Sequence, residues 1–186
     1  VRNAIPFGVV VCACSFTLEG RELQMAVSPL DQPLPIEDPE VSLERFEDSG
    51  REVIVKEEGR GATVLPQHLL LPPDWEGRSL TSQQSLLAHE WTHVVQQGDE
   101  PGERRQWVLR YGTQPRFRLR VETQGVVEQG RSLVRQGLPR EACEALVRDR
   151  LNRAPIRYHL SVDRPWLEGT LIPMAIEAAC SAEGIP

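Results

Sequence analysis

Two kinds of hydrophobic spacing divide the chain. Early on, apolar residues alternate with polar ones, the two-residue period of a strand with one buried face. Phe16 and Leu18 follow that period, as do Leu23, Met25 and Val27, with Glu19-Gly20 between them as the turn of a hairpin. Residues 29–40 are rich in proline and acid and read as an extended linker or surface loop. Residues 41–48 fit a short helix or an irregular strand. Residues 51–56 and 62–65 are two further strands joined by a turn over 57–61, and Pro66 stops the second. His68-Leu69-Leu70-Leu71 then leads into a Pro72-Pro73-Asp74-Trp75 loop.

From residue 81 the spacing becomes helical. Leu86, Leu87, Ala88, Val94 and Val95 give one helix its apolar body. Thr81-Ser82-Gln83-Gln84 reads as its capping box, and Gly98 with Pro101 as its stop. Residues 98–105 look like a polar loop, and Trp107, Leu109 and Tyr111 alternate without a clear period. A long helix is expected over 116–136, ended by Gly137. Another runs from Pro139 to Leu151 with Ala142, Cys143, Leu146 and Val147 on its apolar side. Residues 156–162 fit an extended segment and 171–182 a last helix. This order predicts an α+β fold: a small N-terminal antiparallel sheet, a central helix, then a helical C-terminal part. The expected division is 1–28, 29–50 as linker, and 51–186 as the domain.

The chain has 186 residues and a net charge of −6, enough length for one domain with a sizeable core. Its one lysine is Lys56, and no basic patch is interleaved with aromatics, so nucleic acid is not an expected partner. No apolar run has the length of a membrane-spanning helix. The four cysteines, Cys12, Cys14, Cys143 and Cys180, do not form paired Cys-x-x-Cys motifs, which argues against a structural zinc site. Cys143 and Cys180 are read as buried free thiols, with a disulfide as the alternative in an exported protein. A second reading of the N-terminus competes with the hairpin. Arg2 followed by the apolar residues up to Val11 fits a short export signal. Val11-Cys12-Ala13-Cys14 then resembles a lipoprotein processing site with a lipid anchor on Cys14, which would place the protein outside the cytoplasm or at the cell envelope.

The chemistry concentrates in Leu86-Leu87-Ala88-His89-Glu90-Trp91-Thr92-His93-Val94-Val95-Gln96-Gln97. Two histidines four apart on a helix lie on one face, about one turn from each other, and both rings can reach one metal ion. Glu90 beside the first histidine can hold a water at that metal and take its proton, the working content of His-Glu-x-x-His. The bland reading, an ordinary buried helix, would leave two histidines and a glutamate buried at a cost.

A catalytic zinc takes three protein ligands and keeps one position open. His89 and His93 supply two. For the third, Glu122 is preferred among Glu122, Glu128, His68, His159, Asp99, Glu100 and Glu103. It shares a helix side with Leu119, Val126 and Leu133, where a buried carboxylate needs a partner. Gly125 lies one turn on, and a residue without a side chain there lets the two helices approach, which gives a helical glycine a reason despite its cost of about 1 kcal/mol. Glu128 points to a wetter side and reads as solvated.

His-Glu-x-x-His followed by a glutamate on a later helix resembles the gluzincin branch of the zincin metallopeptidases. That resemblance implies one Zn2+ on His89, His93 and Glu122, Glu90 as catalytic base, a zincin-like fold over 51–186, and a peptide or protein substrate. Gly125 stands where the family often has a small or acidic residue. The metzincin pattern is absent, since Gln96 and Asp99 occupy its glycine and third histidine positions. The 86–97 stretch is also very similar to the metallopeptidase-like core domain found with bacterial extracellular contractile injection systems. A donor to the oxyanion is expected from Tyr158 or His159, with Tyr111 behind them. An edge strand ahead of the motif helix could hold an extended peptide. Gln96 or Gln97 could orient a ligand or simply lie on the helix surface. Two alternatives remain beside hydrolysis: a non-catalytic interaction module in a secretion or toxin-delivery assembly, and a precursor blocked by its N-terminal segment through Cys12 or Cys14.

Overall fold

The computed structural model of the chain describes residues 41–59, 61–158 and 162–181. The hairpin, signal, lipid-anchor and blocking-segment readings of residues 1–40, and His159, lie outside them. The architecture is α+β: a small three-stranded sheet followed by helices. Helix α1 (Leu43–Asp48) begins at Ser42, whose hydroxyl accepts from the Arg45 N–H at 3.3 Å. Of the two readings for 41–48, the helix is the one found, and it buries Phe46 against the sheet.

The strands are β1 (Glu52–Val55), β2 (Thr63–Val64) and β3 (His68–Leu71), in the order β1-β3-β2. The antiparallel expectation needs correction. β1 does not pair with β2; it runs parallel to β3, with Glu52 opposite His68 and Val55 opposite Leu71. The hairpin instead joins β2 to β3 across Pro66-Gln67, where the Leu65 N–H donates to the His68 carbonyl at 2.8 Å. The reason lies in burial. Leu69 and Leu71 are almost wholly enclosed, so the most apolar strand takes the centre and its neighbours take the edges.

Helix α2 (Leu80–Gln97) carries the motif. It starts two residues earlier than the capping box suggested, at Ser79, whose hydroxyl accepts from the Ser82 N–H. Gly98 ends it with φ +73°, a conformation costly for other residues. The expected polar loop after it is a helix, α3 (Pro101–Thr113). Pro101, read as a stop, occupies the first turn, and Glu100 and Glu103 form a reciprocal capping box ahead of it. Helix α4 (Pro115–Arg135) matches the expected long helix to within a residue. Helix α5 (Arg140–Arg157) runs past Pro155, so residues 156–157, read as extended, are helical; the Tyr158 N–H closes the last turn on the Ala154 carbonyl at 2.9 Å. The final helix comprises α6 (Arg164–Trp166), a π-helical turn (Leu167–Leu171) and α7 (Ile172–Cys180).

Two apolar clusters result. One joins α1, the sheet and one face of α2 through Phe46, Leu69, Leu71, Trp75 and Leu87. The other joins α4, α5 and α7 through Val127, Val147, Leu151, Leu171 and Ile176. Cys143 and Cys180 are disulfide-bonded inside the second cluster, not the free thiols preferred from sequence. Helices α5 and α7 pack side by side, which brings together two residues 37 apart in the chain. No helix among the described residues is long and apolar enough to cross a membrane.

Candidate metal centre

The seam between the clusters is the contact of α2 with α4, and it is polar. His89 and His93 face it from α2 and Glu122 from α4. His93 and Glu122 are buried, and His89 is partly so. The two Nε2 atoms are 3.2 Å apart; His89 Nε2 is 3.5 Å from Glu122 Oε2, and His93 Nε2 is 3.7 Å from Glu122 Oε1. Three donors at zinc distances of about 2.0–2.1 Å around a tetrahedral centre stand about 3.3–3.4 Å from each other. The two nitrogens stand at about that spacing, and the carboxylate approaches each of them closely through a different oxygen, a set of two imidazole nitrogens and a carboxylate that suits zinc or a similar divalent ion. Among the described residues, these three are the His, Cys, Asp and Glu side chains that gather so closely.

Each donor is held in place. The His93 Nδ1 and Gln96 Oε1 are 2.8 Å apart, and Gln96 is itself anchored by donating to Gln124 Oε1 at 2.7 Å and to the Val121 carbonyl at 3.3 Å. That arrangement leaves Nε2 of His93 free to ligate. Gln97 does something else: its Oε1 accepts from buried Arg51 at 3.0 Å, tying α2 to the start of β1. His89 has no such hydrogen bond. Its Nδ1 is buried and without a partner among the described residues. Its ring is positioned by close packing on Gly125, where an added Cβ would lie 2.8–2.9 Å from three ring atoms. Glu122 accepts from both Tyr111 and Tyr158 hydroxyls, the latter at 2.7 Å. Arg118 fixes that pair from behind: its guanidinium donates to the carbonyls of Tyr111 at 2.8 Å and Tyr158 at 3.0 Å.

Electrostatics follows from this packing. Burial alone would raise the Glu122 carboxyl, but the hydrogen bond from His89, the charges of His93 and His89, and the Tyr111 hydroxyl outweigh it and hold it well below the ordinary carboxylate range. Glu90 behaves oppositely. Burial raises its carboxyl, and His93 and the Val64 N–H, which donates to it at 2.9 Å, offset this only in part. Burial and the nearby Glu122 charge push both tyrosine hydroxyls up, so they remain protonated donors at neutral pH. A cleft of about 670 Å³ exposes the group, lined by His89, Glu90, His93 and Glu122 below, by residues 61–66 on one side and by α5 on the other.

The other ligand candidates lie elsewhere. His68 opens β3 and sits 3.7 Å from Glu52. Asp99, Glu100 and Glu103 belong to the turn and cap of α3. Glu128 is a correction: it is buried, not solvated, and pairs with Arg131 at 2.5 Å and Arg135 at 4.0 Å. Arg118, and Tyr111 as a partner of Glu122, were not foreseen; an arginine in a helix of arginines and a tyrosine in an unclear period carry no local signal of their roles.

A family model described as the eCIS core domain matches residues 55–101. The match spans the end of β1 to the first residue of α3, so it contains His89, Glu90 and His93 and leaves Glu122 outside. No curated protein and no solved structure matches the chain.

Proposed function

We propose that the chain is a metal-dependent peptide hydrolase of gluzincin type, with one zinc on His89, His93 and Glu122. The observation that carries this is the convergence of His89, His93 and Glu122, each with a ligand atom within 4.8 Å of the others, in a cleft that Glu90 also lines. A zinc held by His89, His93 and Glu122 would supply a Lewis acid able to polarise a carbonyl and to lower the pKa of water to about 7. Glu90, its affinity for protons raised by burial, takes the proton of the attacking water and delivers it to the leaving amine nitrogen. The C–O bond forms first as the carbonyl π pair moves onto its oxygen, the C–N bond breaks as that pair returns and Glu90 protonates the amine, and the glutamate ends as it began. Tyr111 and Tyr158 both line the cleft and both donate to Glu122; turned from Glu122 Oε2, the Tyr158 hydroxyl would donate to the developing oxyanion while Tyr111 keeps Glu122 in place. β2 is one of the sheet's two edge strands and lies beside the cleft, where its Val64 N–H donates to Glu90; the rest of its backbone edge is what an extended peptide would pair with.

The eCIS core match favours a second reading, a component of an extracellular contractile injection system that keeps the scaffold to bind a partner. The Cys143–Cys180 disulfide supports an oxidising compartment, hence export or the cell envelope. One experiment separates hydrolase from binder. Purified protein is assayed for zinc and for cleavage of a broad peptide library, beside Glu90→Gln. The hydrolase reading expects stoichiometric zinc in both and cleavage in wild type alone. Zinc retained with no wild-type cleavage would hand the case to the binding module.

A further inference from the structure

The cleft has unlike walls. Residues 61–66 form one, and α5 forms the other with Arg150, Arg153 and Arg157 along a single stripe of the helix. A chain of net charge −6 thus places three positive charges beside its candidate site. Asp149 acts on Arg150 and Arg153, and the charge of Arg157 acts on Glu90 in the cleft. Arg153 meets Asp149 at 2.7 Å on the exposed side. Arg157 lies over the Tyr158 ring and close against residue 61, where a Cβ on Gly61 would stand 2.9 Å from its Nη2. Arg150 is half-buried, with Asp149 as the acidic side chain whose charge acts on it. Burial, and then the charge of Arg157, work against its cationic form. A guanidinium drawn partly out of water next to like charges gains from an anion that can meet it in two parallel hydrogen bonds.

We propose that this stripe recognises a carboxylate of the bound peptide, which Arg150 receives as a two-pronged pair while Arg157 and Arg153 add to the field. The inference rests on the reading of the cleft as a peptide site. It makes Arg150 a specificity-determining residue and the preferred substrate an acidic peptide. The carboxylate has two sources, an acidic side chain or the peptide's own C-terminus. Arginine suits either, since its planar fork matches a carboxylate in two parallel hydrogen bonds.

The test uses zinc-loaded Glu90→Gln protein, so that bound peptides persist. Three fluorescent decapeptide pools with otherwise random residues lacking Asp and Glu are compared by anisotropy: amidated with a central glutamate, amidated with a central glutamine, and central glutamine with a free C-terminus. We expect one carboxylate-bearing pool to bind about tenfold more tightly than the amidated glutamine pool. Adding Arg150→Gln should remove that advantage without weakening the glutamine pool, and 0.5 M salt should shrink it. Whichever pool binds better identifies the source. Equal binding of all three pools, or an advantage untouched by Arg150→Gln, overturns the proposal. Should Arg150→Gln fail to fold, Arg157→Gln decides: it must reduce the same advantage, and no reduction overturns the proposal. Loss of cleavage activity in wild type would refute hydrolysis alone, because this readout is binding.

Discussion

Replacing Gly125 by alanine should separate stability from metal binding. Gly125 lies inside α4 with ordinary helical φ, so the backbone accepts alanine. Helix propensity then favours the variant by about 1 kcal/mol. The new Cβ would meet the His89 ring at 2.8 Å, and ordinary contact begins at 3.4 Å, so the ring must retreat by roughly 0.6 Å. It can do so by rotating, because it is the end of a side chain and its Nδ1 is not held by a hydrogen bond. The fold should therefore survive, and metal-stripped Gly125→Ala should melt at the wild-type temperature or up to about 4 °C above it. Ligation tolerates about 0.2 Å, so the displaced ring should be a poor ligand. Zinc affinity is expected to fall about 10- to 100-fold, or about 1.4–2.8 kcal/mol. Competition with a chromophoric chelator measures the affinity, and calorimetry of the stripped proteins measures the stability. Unchanged zinc affinity, or a stripped variant that melts several degrees lower, would refute the packing argument.

Other outcomes can be checked alongside it. His93→Ala and Glu122→Ala should each lose stoichiometric zinc by elemental analysis; full retention in Glu122→Ala would remove the third ligand. Tyr111→Phe deletes one hydrogen bond to the Glu122 carboxylate and should weaken zinc about tenfold in the same chelator competition while the fold is retained. Cys143→Ser with Cys180→Ser opens a loop whose ends are 37 residues apart, for which chain entropy gives about 4 kcal/mol and a fall in melting temperature on the order of 10 °C. A melt unmoved by reducing agent would contradict that linkage.

What the sequence made legible was local. His89, Glu90 and His93 lie within one helical turn or so of each other, and Glu122 with Gly125 betrays itself by sitting on an apolar side. Non-local relations were hidden. The three leucines of residues 69–71 mark β3 as apolar, but its parallel pairing with β1 depends on which strands the helices bury. α3 looked like a loop since its proline and acids, read singly, suggest a stop; together they form a cap. Glu128 looked wet because its neighbours Gln124 and Ser132 are polar, yet two partly buried arginines of its own helix pair with it. The partners of Glu122 come from α3 and the end of α5, and only folding brings them to α4.

The candidate centre belongs to neither apolar cluster. Helix α2 contributes two nitrogens and α4 one carboxylate, so an ion seated there would act as a rivet between the two helices. Occupancy would then report how α2 lies on α4: a void opened in either cluster, far from the rings, would be felt as loosened grip on the ion before any loss of secondary structure. A piece limited to residues 55–101 would carry half of the fastening and should hold the ion weakly even if it folds.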